Sequence, residues 1–284
     1  MSPDLLSVIV RAGACVALLQ AAGVVLFLWL FDAGLGSSSA GVRRLGVNSA
    51  LAALPLLAAQ VLLDAARMTG DFAGMLDGAM LRLALASGSG VARAVQLTGL
   101  ALVASGLRRG RPPRAALAGV AAVIIAFLLS GHTAVHGLRW LLAPLLALHV
   151  AIVAFWFGAL APLFMVIARE PARVASEVLQ RYSRLAGILV PLIPAAGLSM
   201  AFVLLPDLSA LRRPYGLLLG LKLLGFAMLM VLAVLNRWRW VPALAAGVVP
   251  ARAALRRSLT GEYLLIVAVL AATAALTTFY SPTP

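Results

Sequence analysis

The apolar residues of this chain gather into eight blocks, each long enough to cross about 30 Å of hydrocarbon as a helix of roughly 20 residues. The blocks run from Val8 to Leu30, Leu45 to Leu63, Val91 to Leu107, Ala115 to His132, Leu141 to Ile167, Leu185 to Leu205, Tyr215 to Asn236 and Glu262 to Tyr280. With 63% hydrophobic and only 11% charged residues, a water-soluble fold could not hide so much apolar surface. The expected fold class is therefore all-α: a polytopic membrane helix bundle of about eight transmembrane helices, forming a single domain over residues 1–284. The longest connectors, near residues 64 to 90 and 237 to 261, read as loop-sized, so function is expected within or at the edge of the bundle.

The formal net charge of +14 would suggest nucleic acid if it lay on a soluble face. Here the arginines fall in short connectors between apolar blocks, where positive charge fixes topology and meets anionic lipid headgroups, so no nucleic-acid partner is expected. The first, third, fifth and seventh connectors hold Arg43 and Arg44; Arg108, Arg109, Arg111 and Arg114; Arg169, Arg173, Arg181 and Arg184; and Arg237, Arg239, Arg252, Arg256 and Arg257. The even connectors are poorer, with Arg67 and Arg82, then Arg139, then Arg212 and Arg213. Excess Lys and Arg marks the cytoplasmic side, so both termini are expected in the periplasm of a bacterial inner membrane. Only Asp4 precedes the first block as a charged residue, which lacks the basic leader of a cleaved signal peptide and reads as a retained span.

All three histidines, His132, His136 and His149, lie within 18 positions. His132 and His136 are four apart, so a fourth span that continues helically would project both from one face and let them share a metal. Counting about 20 residues of helix from Arg114 places His132 about 5 Å below the outer edge and His136 at or beyond the surface. His149 follows the interfacial aromatic Trp140 by nine residues and so lies about 13 Å into the membrane. A ring at that depth calls for a partner, either a hydrogen bond across helices or a metal.

Soft donors are the second signal. The connector after the second span carries Met68, Met75 and Met80 beside Asp64, Asp71 and Asp77. Thioether with imidazole favours copper over magnesium or calcium, although methionine also fills gaps in apolar packing. Cys15, the lone cysteine, and Met200 fall toward the outer part of their spans, where either a ligand role or simple burial is open. Lys222, the only lysine, either snorkels outward or charges a polar pocket against Asp64 or Asp207, and Glu262 is expected to pair locally with Arg256 or Arg257. With no phosphate loop, Ser-His-Asp set or His-Glu-x-x-His motif, the chain does not read as an enzyme.

From Ser130 to the end the pattern resembles the CopD family of bacterial copper-resistance inner-membrane proteins. The resemblance is carried by Ser130-Gly131-His132; by His149 followed by Trp156, Gly158 and Leu160; by Arg181-Tyr182-Ser183-Arg184-Leu185; by Tyr215-Gly216 with Lys222; by Asn236-Arg237; and by Arg256 through Glu262. It implies that copper ion is moved from the periplasm across the inner membrane, often beside a small CopC-like periplasmic copper-binding protein. The residues above then supply the expected metal site: His132, His149 and His136, with Met68, Met75 and Met80 as a capture layer. The competing readings are a membrane electron carrier with histidine-ligated haem, and a scaffold that loads copper enzymes without transporting metal.

Overall fold

A computed structural model describes residues 2–109, 114–204 and 214–279, and among these residues it contains helices and no strand. The chain order is α1 (Pro3–Phe31), α2 (Ser39–Thr69), α3 (Gly78–Ala86), α4 (Gly88–Arg108), α5 (Arg114–Leu128), α6 (His132–Val135), α7 (Arg139–Arg169), α8 (Ala172–Leu189), α9 (Leu192–Leu204), α10 (Pro214–Leu235), α11 (Val241–Ala245) and α12 (Val249–Phe279). Seven stretches are long and apolar enough to cross a membrane, and the expected fourth span is a shorter apolar helix, α5, of 15 residues. The all-α membrane bundle expected from the blocks is the observed architecture.

Local signals set the boundaries. Ser2 caps α1 by accepting from the Leu5 amide, with Pro3 at the first helical position where its missing N–H is no loss. Gly70, at φ 77°, ends α2 in the left-handed conformation that glycine adopts without strain. Between α8 and α9 the chain carries Pro191, which lacks the N–H that would continue the ladder, and Pro194 follows in the first turn of α9, where its missing N–H is no loss, so one long apolar stretch becomes two helices.

The core sits where α1 meets α7. In each, 72% of the most apolar stretch is buried within the protein, against 44% in α4, 22% in α2 and 11% in Gly216–Ala245, so α1 and α7 are central. The two helices cross at Gly23 and Gly158, where a Cβ on either would overlap the other helix's backbone. Gly99 of α4 and Gly119 of α5 meet in the same way. Lipid offers no hydrophobic drive between helices, so close backbone approach through small residues supplies the dispersion contact that holds them. Gln20 of α1 reinforces the central crossing by donating from Nε2 to the Gly158 carbonyl at 2.9 Å.

The connectors differ from expectation. Arg43 and Arg44 lie inside α2, Arg173, Arg181 and Arg184 inside α8, and Arg252, Arg256 and Arg257 inside α12. The segment near 64 to 90 is not a loop but the end of α2, a 3-10 turn and α3, while that near 237 to 261 holds a π-helical turn (Asn236–Trp240), α11 and the first turns of α12. A change from apolar to polar residues marks where lipid ends, whereas a helix continues as long as its backbone bonds are made. Arg111, Arg212, Arg213 and Asp207 lie outside the described residues.

Candidate metal site

One end of the bundle is built from the start of α1, the α2–α4 connector, the α5–α7 connector and the end of α12. All the histidines and connector methionines expected as ligands belong to this half. Met68 stands exposed on the last turn of α2, and Met75 and Met80 are half-buried in the 3-10 turn Phe72–Leu76 and in α3. Of the neighbouring carboxylates, Asp77 caps α3 by accepting from the amides of Ala79 and Met80, at 2.7 and 3.2 Å. Asp64 is committed to Arg93 at 2.5 Å and accepts from Ser89 at 3.2 Å. Asp64 is thus taken by Arg93 rather than by Lys222. The methionine connector leans on the histidine turn, because a Cβ at Gly88 would come 3.2 Å from the Leu129 carbonyl, three residues before His132.

The fourth span does not continue helically through the histidines. Helix α5 ends at Leu128, Gly131 takes φ 83°, and His132 opens a separate single turn, α6, with His136 just past its end in extended backbone. His136 Nδ1 accepts from the Leu138 amide at 3.1 Å, which leaves Nε2 as the ring nitrogen bearing hydrogen in the neutral form.

His149 lies deeper, half-buried on α7 and facing α9. Its Nδ1 is 3.0 Å from the Ile193 carbonyl. A carbonyl can only accept, so Nδ1 carries the hydrogen and the Nε2 lone pair is left for another partner. The ring lies over Gly197, where a Cβ would come 3.5 Å from Cε1. Met200, buried, follows one turn farther along the same α9 face as Ile193 and Ala196. Lys222 of α10 is half-buried and its charge reaches His149, so a cation there is opposed unless the lysine stem carries the ammonium outward. Among the described residues no three His, Cys, Asp or Glu side chains converge as a metal-holding group, so thioethers or backbone oxygens would have to complete a site.

The sequence reading missed a second polar layer, deep in the bundle. Tyr182 donates to the Trp156 carbonyl at 3.3 Å, and Asn236 Nδ2 donates to Glu262 Oε1. Glu262 forms no ion pair with Arg256 or Arg257, contrary to expectation. Arg256 instead stacks over Phe164 at 4.6 Å, and Arg252 donates to the carbonyls of Ile167 and Glu170 at 2.5 and 3.1 Å. The signal was available in the spacing, since Glu262 occupies an inward position between Leu259 and Ile266.

The opposite, arginine-rich end is closed by Glu170. Its Oε1 accepts from the Gly36 amide at 3.0 Å, the Ser38 amide at 2.8 Å and the Ser38 hydroxyl at 2.6 Å, tying the end of α7 to the start of α2. Burial alone would raise the carboxyl's pKa, but the Ser38 and Gly36 donors outweigh it and hold the group below its ordinary value.

Residues 176–276 match the family model CopD, described as copper resistance protein D. The match begins beyond His132 and His149, so it covers Tyr182, Lys222, Asn236 and Glu262 but none of the expected metal ligands. No curated protein and no solved structure matches the chain.

Proposed function

We propose that this chain, whose residues 176–276 match the CopD family model of copper resistance protein D, carries copper across a bacterial inner membrane, from periplasm to cytoplasm. The observation that carries this reading is the state of His149: a ring inside the bundle whose Nδ1–H is spent on the Ile193 carbonyl, leaving Nε2 as a metal-competent lone pair. Metal-bound histidines are oriented by this kind of second hydrogen bond. Soft donors favour copper among the biological metals, and Met200 stands on the α9 face that His149 packs against.

In this reading both termini face the periplasm. Met68, exposed, and Met75 and Met80, half-buried, form a capture layer; His136 stands at the mouth with His132, whose side chain lies outside the described residues; and His149 receives the ion within the bundle. A CopC-like periplasmic protein is the natural donor at that end. Transient passage suits a sparse donor set, since an ion held by many ligands would not leave.

The test compares His149→Ala with His149→Asn, which retains a donor for Ile193 but not the imidazole Nε2. Both variants are expected to insert normally and to bind copper at least about tenfold more weakly, by analogy with the cost of disturbing metal-site histidines. Wild-type copper stoichiometry and copper-dependent growth in both would make His149 an interhelical hydrogen-bonding residue and defeat the proposal.

A further inference from the structure

Glu262 lies on a stripe of α12, Leu255, Leu259, Glu262 and Ile266, whose spacing keeps one face inward. Glu262 is 2% exposed, comparable to the three apolar members at 0%, 5% and 5%. A carboxylate at such a position needs a cation, several fixed donors of the kind that hold Glu170, or a proton, and the Asn236 amide is a single donor. Among the described residues Glu262 forms no ion pair: the salt bridges are Arg43–Asp32, Arg67–Asp4, Arg93–Asp64 and Arg173–Glu177.

The groups around it are neutral or engaged elsewhere. From the turn after α10 comes the Asn236 amide, from α8 the Tyr182 hydroxyl, already given to the Trp156 carbonyl, and from α7 the Phe157 ring, stacked at 4.8 Å on Tyr263. Helix α1 runs along α12 with its charged Arg11 at the far end, on the Thr277 carbonyl, and Gln20 in mid-bundle. Lys222 of α10 is 14 residues from Asn236, about 21 Å of helix. On α12 itself Arg252 is bonded to the end of α7 and Arg256 stacks on Phe164, while Arg237 of the π-helical turn donates to the Ser183 carbonyl.

Asn236 supplies the independent observation. Its Nδ2 donates to Glu262 Oε1, yet its own Oδ1 is buried without any hydrogen-bond donor. A proton on the Glu262 carboxyl supplies the donor that Oδ1 lacks, the complement of the Nδ2–H given to Oε1. Turning the amide over places its carbonyl against the carboxyl and again requires that proton. The π-helical turn that begins at Asn236 shifts the register at this point, a distortion that recurs at functional sites.

We propose that Glu262 is carried as the neutral acid, paired with Asn236, and that it releases its proton as a copper ion passes through the bundle and regains it afterwards. This deepens the copper reading and rests on it. For a monovalent ion the balance is one positive charge in and one out: the carboxyl O–H bond breaks, the carboxylate keeps the electron pair, and no electron is transferred. The interior then never holds an uncompensated charge, whose desolvation is the main barrier to an ion in lipid. The proton leaves toward the histidine end, from which the ion comes, and is regained from the arginine-rich end, to which the ion is delivered. A groove of about 490 Å³ lined by Gln180, Ser183, Arg184, Arg237 and Trp238 opens on the arginine-rich end, and Ser183 and Arg237 directly follow Tyr182 and Asn236 in the chain.

The experiment uses the full chain in liposomes that enclose a pH-sensitive dye, with copper(I) added outside. Copper uptake by the wild type should be accompanied by counter-movement of protons. Glu262→Gln, which has the shape of the neutral acid, should keep its melting temperature and copper binding but lose the proton movement. Infrared spectra at neutral pH should show a protonated-carboxyl band in the wild type that is absent from Glu262→Gln. Uptake without proton movement, proton movement preserved in Glu262→Gln, or no such band in the wild type would each overturn the proposal while leaving copper transport intact. A wild type that takes up no copper overturns the transport reading and the coupling with it, and the infrared band still decides whether Glu262 is neutral.

Discussion

The two ends of the bundle neutralise buried carboxylates by different means. At the histidine and methionine end, Asp64 relies on Arg93, an ion pair whose side chains are 14% and 7% exposed. At the arginine-rich end, Glu170 is held by backbone amides and a hydroxyl at the start of α2, although Arg169 precedes it and Arg252 reaches its main-chain carbonyl. Pairing two buried charges makes each hostage to the other, whereas a carboxylate held by several fixed donors loses only part of its support when one is removed. The arginines at this end serve the backbone instead: Arg252 reaches the carbonyls at the end of α7, Arg237 that of Ser183, and Arg181 that of Leu30 at 3.4 Å, while stacking over Phe31. Charge that the sequence assigns to topology and lipid also stitches helix ends together.

The largest effect should come from breaking the ion pair. Arg93→Met removes the ion-pair partner of Asp64, which is 14% exposed, and is expected to cost about 3–5 kcal/mol, read as a lowered midpoint in denaturant titration of the detergent-solubilised protein. Adding Asp64→Asn should recover much of that loss. If the double variant is no better than the single one, Arg93 acts through packing rather than charge.

Glu170→Gln should have a smaller effect, about 1–3 kcal/mol, and one that depends on pH. The folded carboxyl titrates below its ordinary value, so its contribution is present above the unfolded-state value, about 4.3 for Glu, and is lost as pH falls through the folded value. Thermal melts from pH 7 downward should show the wild type converging on Glu170→Gln in acid. A constant gap between the two curves would mean that charge is not what Glu170 contributes.

The smallest effect belongs to Arg173–Glu177, an exposed pair four residues apart on α8 with side chains 89% and 59% exposed. Arg173→Ala should change the melting midpoint little, because such pairs are typically worth about 0.3–0.5 kcal/mol. A larger loss would show that α8 is held at its polar end by a contact other than this one.

Much of the candidate site was legible one residue at a time and little of it as geometry. The spacing from Trp140 placed His149 inside the bundle, but that its Nδ1 faces Ile193 depends on α9, whose path is set by Pro191 and Pro194 more than 40 residues away. The link between His132 and His136 was sought in a continuous helix, and Gly131 ends that possibility with a positive φ. Glu262 was assigned to its nearest arginines because sequence proximity is the only proximity a sequence displays. Its actual partner, Asn236, lies 26 residues earlier and is brought inward by a π-helical turn.

By itself, then, the sequence determined the solvent, the fold class, the places where helices must exist and the likeness of residues 176–276 to the CopD family model, because those follow from block length, local caps and motif order. Tertiary structure alone decided which helices are central, where backbones touch at Gly23 and Gly158, and which charges meet. Those outcomes depend on side chains far apart in the chain finding one another in a medium where every polar group must be satisfied, and no local pattern encodes that pairing.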